Sequence, residues 1–132
     1  MGALKRTLYL EAGLFGLVGL GLGVAPRFVL TTMFGQPAFP DLAWLRVVGL
    51  QAIGLAMLMV LVAHRIRELW WWSWAFCLVT VGLAAVALLN AAFGRAPGEP
   101  AVLWWAFAGV STAFTFALLY GLAVTARENP VT

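Results

Sequence analysis

The sequence predicts an all-α membrane protein, an antiparallel bundle of four transmembrane helices with both termini cytoplasmic. Three observations carry that expectation. Of the 132 residues, 64% are hydrophobic and only 10% charged, whereas a soluble domain carries about 25% charge; the mean hydropathy is +0.97. The apolar residues fall into four runs, each reaching the roughly 20 residues that cross a bilayer core of about 30 Å at about 1.5 Å rise per residue. Finally, Lys and Arg gather at the ends of those runs, where they act as topology signals. A water-soluble globular domain is excluded by this pattern. The chain has room for one compact domain, residues 1–132, and none for a separate catalytic module.

The first span is expected at 7–25, behind Lys5 and Arg6. It reads as a retained helix rather than a signal peptide, because Glu11 interrupts the apolar stretch and a cut at Ala25 would leave Pro26 next. Gly2 followed by Arg6 also misses the myristoylation pattern, which wants Ser or Thr there. A long loop at 27–40 contains Gly35, Pro37 and Pro40, and its apolar start (Phe28, Val29, Leu30, Met33, Phe34) suits the interface. Asp41 is placed to cap the second span, 42–63. A tight hairpin at 64–68 leads to the third span, 69–92, and a Gly/Pro loop at 94–100 leads to the fourth, 101–126. Backbone groups in hydrocarbon must be satisfied internally, so each span is helical. A closed barrel would need alternating polar positions and at least eight strands.

Lys5, Arg6, Arg65, Arg67 and Arg127 fall on one side, with Arg27 and Arg95 on the other and Arg46 just inside the second helix. The excess of positive charge marks the cytoplasmic side, with the bacterial inner membrane the expected location. Tryptophans form two layers at headgroup depth: Trp70, Trp71, Trp72 and Trp74 on the cytoplasmic side, and Trp44, Trp104 and Trp105 on the outer side. The net charge of +3 is too scattered for a nucleic-acid surface, so the lipid bilayer is the expected partner and nucleic acid is not. Cys77 stands alone, which excludes an intrachain disulfide and a thiolate metal cluster.

Small residues let helices approach closely in lipid, where hydrophobic driving force between helices is weak. On the fourth helix Gly109, Ala113, Ala117 and Gly121 recur every four residues. The first helix carries Gly13, Gly16, Gly19, Gly21 and Gly23, with Gly19 and Gly23 as a GxxxG pair. Ala52 and Ala56 on the second helix and Ala87 and Ala91 on the third are further small pairs. These seams fit internal packing of the bundle, docking against a helix of a membrane-protein partner or a second copy, or both on different faces. The first-helix glycines lack the spacing and preceding strand of a nucleotide loop.

Polar residues inside the spans need a partner or a function. Glu11 is expected about one turn inside the cytoplasmic face, within reach of Tyr120, His64 and Arg65, as a salt-bridged acid or as a proton or ligand site. Arg46 is expected about 7 Å inside the outer face, level with Asn90 and near Asp41 and Glu99. There it would tie the second helix to the third, or bind an anion or headgroup. Gln51, Thr80 and Ser111 share a depth near the midplane, with Thr115 a turn away. They suit interhelical hydrogen bonds or a polar spot in a ligand cavity. The candidate ligand-binding residues are therefore Glu11, Arg46, Gln51, Asn90, Ser111 and Tyr120. His64 is the only histidine; it reads as a solvated loop residue, although it could supply one axial ligand to a porphyrin. Ser-His-Asp sets, H-E-x-x-H and phosphate-cradling loops are all missing, so no catalytic residue, cofactor or metal site is expected.

Three segments carry a family resemblance: GLVGLGLGVAPRFVLTTMFG, LRVVGLQAIGL and ALLNAAFGRAPGEP. Together they resemble the small, uncharacterised four-helix bacterial membrane proteins of the broad DoxX-like group, with Pro26, Gly35, Arg46 and Gly49 at the matching positions. An acidic residue often precedes the second-helix arginine in that group; here Leu45 does. The association of some DoxX-like proteins with respiratory oxidase complexes implies an accessory role and transfers no catalytic residues. The expected function is a noncatalytic accessory or scaffold subunit. Two alternatives stand beside it. One is a carrier of a quinone, lipid or pigment anchored by Gln51, Ser111 or Arg46; the other is a proton-coupled transporter or membrane enzyme using Glu11, with a homo-oligomer supplying further helices.

Overall fold

Apolar runs of this length can satisfy their backbone groups in hydrocarbon only by coiling, and the computed structural model is 87% helical, with no strand among the described residues. It describes residues 1–95, 97–98 and 101–129. Four helices are long and apolar enough to cross a membrane: α1 (Gly2–Val24), α2 (Ala43–His64), α3 (Ile66–Gly94) and α4 (Ala101–Glu128). This is the architecture of an integral multi-pass membrane protein. The outer surface agrees, since Leu17, Leu78 and Phe93 are more than 70% exposed, an exterior suited to lipid chains rather than water.

The ends differ from expectation in instructive ways. α1 begins at Gly2 rather than at residue 7: nothing between Gly2 and Thr7 breaks a helix, and Lys5 and Arg6 can extend their charged ends toward headgroups from inside it. It stops at Val24 because Pro26 forces Ala25 out of the α region, to φ −130°. The long loop opens with a π-helical turn, Phe28–Met33, and reverses at Gly35, whose φ of +62° suits glycine. Asp41 Oδ1 accepts the Ala43 N–H at 2.9 Å and so caps α2. The hairpin between α2 and α3 shrinks to Arg65 alone. α3 is composite: an α-turn Ile66–Leu69, a tightened 3-10 turn Trp70–Trp72, an α-helix Ser73–Leu89 and a π-turn Asn90–Gly94. Arg95 Nε donates to the Ala91 carbonyl at 2.9 Å and satisfies that end.

Side chains buried at alternating three- and four-residue steps define the inward faces. On α1 these include Leu4, Leu8, Glu11, Ala12 and Gly19; on α4 they are Ala108, Ser111, Leu118, Gly121, Leu122 and Thr125. A close backbone approach joins α1 to α2, where a Cβ on Gly19 would lie 2.6 Å from the Gly49 oxygen and one on Gly49 would lie 2.7 Å from the Gly19 oxygen. α1 meets α4 where a Cβ on Gly121 would come within 2.9 Å of the Leu4 Cα. At the helix ends the Met1 amine pairs with Glu128 at 2.7 Å. α4 packs in turn on α3, while α2 and α3 meet little beyond their hairpin. Hence the order around the bundle is α2–α1–α4–α3, with α3 returning beside α2 at their hairpin. Leu4, Leu8, Met59, Phe76, Leu118 and Leu122 form the apolar core toward the Met1 end.

Candidate functional site

The most chemically distinctive position is Glu11. It lies on the inward stripe of α1 and is fully buried. The facing stripe of α3 runs Ser73, Cys77, Thr80, Ala84, Ala87, Ala91, all buried and mostly small, so that it leaves room for a carboxyl group. The Thr80 hydroxyl donates to Glu11 Oε1 and also lies 2.9 Å from the Phe76 carbonyl of its own helix. A hydroxyl has one hydrogen and can serve only one acceptor at a time. When Glu11 is ionised, the Thr80 hydrogen can point to it; when Glu11 is protonated, its O–H can donate to the Thr80 oxygen while Thr80 turns to Phe76. The pair therefore accommodates either charge state without moving a helix. Glu11 Oε2, Ser73 Oγ and Thr125 Oγ1 are buried with no hydrogen-bond partner among the described residues.

This geometry replaces the partners expected for Glu11. Tyr120 is 65% exposed, His64 is exposed, and Arg65 stands 3.9 Å from Glu68. The reason lies in the helix start: counted from Gly2, Glu11 sits roughly 13 Å along α1 instead of one turn in. Thr80 as its partner, with Ser73 and Thr125 as buried polar neighbours of the core, went unassigned in the sequence. The signal available for them was the three- and four-residue spacing of small residues along α3.

At the far end, Arg46 is exposed and borders a cleft of about 520 Å³ together with Pro26, Arg27, Thr31, Thr32 and Leu42. It does not tie α2 to α3: it has no hydrogen bond or ion pair among the described residues. Asn90 keeps a buried Nδ2 with no partner among the described residues, Asp41 caps α2, and Glu99 lies outside the described residues. Gln51 sits on the exposed outer face, whereas Thr80 and Ser111 are buried; the Thr115 hydroxyl donates to the Ser111 carbonyl of its own helix at 2.9 Å. A second cleft of about 350 Å³ opens between α2 and α3, lined by apolar residues that include Leu55, Leu58, Leu69, Trp72 and Phe76. Gln51, Ser111 and Arg46 do not line it.

The small-residue seams divide. Gly19 packs on Gly49 and Ile53 of α2, and the Gly23 backbone nitrogen borders Gly49. On α4, Gly121 is buried against Leu4 and Ala117 is half-buried, but Ala113 and Gly109 face outward, and a Cβ on Gly109 would meet nothing within 4 Å. Each four-residue step turns a helix about 40° past a full circle, so three steps carry the row about 120° around α4. The loop between α1 and α2 is held on α4 by aromatic contact, with Phe34 at 5.2 Å from Trp104 and 6.3 Å from Phe107. Compared with protein families, with curated proteins and with solved structures, the chain matches none.

Proposed function

We propose that this protein is a noncatalytic accessory or scaffold subunit of the bacterial inner membrane, akin to the DoxX-like group, that docks through the part of the α4 seam left outside its own bundle. The observation behind this reading is the outward pair Gly109 and Ala113, one turn apart and uncovered. In lipid, helices associate through close backbone contact at such positions, the partner being a helix of another subunit or of a second copy. The helices run antiparallel with both termini cytoplasmic. That arrangement is supported by the Met1–Glu128 ion pair, by the approaches of Gly16 to Ala56 and Gly19 to Gly49, and by the side on which Lys and Arg accumulate.

The test replaces Gly109 and Ala113 together with leucine. Expected are loss of crosslinking to the neighbouring helix and a smaller assembly on sizing in mild detergent, with thermal unfolding of the bundle unchanged. Unaltered assembly would refute the docking role. Reporter fusions at both ends should report the same compartment.

A second reading is favoured by the buried carboxyl: Glu11 with Thr80 forms a proton-accepting site for coupled transport, with further copies completing the path. Glu11→Gln in reconstituted vesicles should abolish proton-linked flux; equal flux in the variant and the parent removes this reading.

A further inference from the structure

We infer that the cleft between the end of α1 and the start of α2 is a binding site for a phosphate-type anion, its main ligand an anionic phospholipid headgroup. Four observations converge on it. Arg27, just after α1, and Arg46, one turn into α2, both line the same cleft of about 520 Å³. Neither guanidinium has an acidic or hydrogen-bonding partner among the described residues. Two like charges facing one space repel each other, and a phosphate between them converts that repulsion into charge-assisted, forked hydrogen bonds. Thr31 spends its hydrogen on the Arg27 carbonyl at 2.7 Å, but the Thr32 hydroxyl has no partner among the described residues and supplies a third donor.

The walls and the location select the ligand class. Val24, Pro26, Phe28 and Leu42 form an apolar side to the cleft, which a glycerol and acyl-chain start can cover and a hydrated inorganic ion cannot. The cleft lies at the helix ends, where a spanning helix meets headgroups, and its volume falls in the range of small-molecule sites. The inference is independent of the docking role, since Gly109 and Ala113 lie on α4.

Delipidated protein in neutral detergent, titrated with phosphatidylglycerol, phosphatidylcholine or inorganic phosphate, tests it. Melting temperature and native mass spectrometry are the readouts. Phosphatidylglycerol should raise the melting temperature and remain as a discrete adduct, with phosphatidylcholine at least tenfold weaker. R27Q/R46Q should lose that preference at least tenfold while melting normally without lipid. R27K/R46K, keeping the charge but not the fork, should bind several-fold more weakly than the parent and serves if the neutral variant fails to fold. A response to inorganic phosphate equal to that of phosphatidylglycerol, and lost in R27Q/R46Q, supports the anion site but assigns it to a free anion. Equal action of both lipids with none from phosphate, or a phosphatidylglycerol preference that survives in R27Q/R46Q, overturns the proposal.

Discussion

Glu11 is fully buried, with one oxygen on the Thr80 hydroxyl and the other without a partner among the described residues. Removing the hydroxyl while keeping its shape leaves the carboxyl without its partner, which costs about 1–3 kcal/mol for a buried polar group. Thr80→Val should therefore lower bundle stability by that amount in mixed-micelle unfolding. Glu11→Gln keeps an oxygen for Thr80 and removes the ionisable proton, so its cost should stay below about 1 kcal/mol. Pairing Thr80→Val with Glu11→Leu should recover most of the loss, because replacing both partners by apolar groups can be nearly neutral. A double variant as unstable as the sum of its parts would show that the pair is not the unit described.

Between elements, α1 is the pivot, and its glycines are not equivalent. A Cβ on Gly19 meets the Gly49 carbonyl oxygen, a backbone atom that can yield only if a helix shifts, whereas one on Gly23 meets open space. Gly19→Ala should therefore cost about 1–3 kcal/mol, as overpacking does, while Gly23→Ala should be neutral or slightly stabilising; comparative thermal unfolding of the two reads this directly. The GxxxG pair marked the right helix, but spacing alone could not say which glycine carries the tight contact. The four spans were legible because hydropathy depends on the solvent around a helix and little on its neighbours. Rotation was not, because almost every side of these helices is apolar, leaving no polar face to mark the outside. Glu11 was recognised as a residue in need of a partner, yet its partner was missed. Depth counted from residue 7 placed it beside Tyr120 and His64, while its rotation onto the α3 stripe decides the contact. Gly109 and Gly121 look alike in sequence, but 120° of helical drift puts them on different surfaces.

For the whole molecule, the order α2–α1–α4–α3 closes on itself at the single-residue connection, beyond which α2 and α3 stand apart with the 350 Å³ apolar cleft between them. Filling that cleft should be tolerated, since there are no close-packed neighbours to displace. Ala75, which lines it and is exposed, should accept leucine with a change within about 0.5 kcal/mol. The same substitution at fully buried Ala87 should cost about 1–3 kcal/mol by overpacking; equal tolerance at both sites, judged by unfolding in detergent, would contradict this open arrangement. The 2.7 Å contact between the Met1 amine and Glu128 has a different consequence. The polypeptide returns to its own beginning, which makes it a nearly closed circuit of four rods. A circular permutant, with those tips fused by a few flexible residues and a new opening cut at Arg65, should rebuild the same architecture, because the connection being cut is a single exposed residue while the buried contacts between helices lie along their lengths.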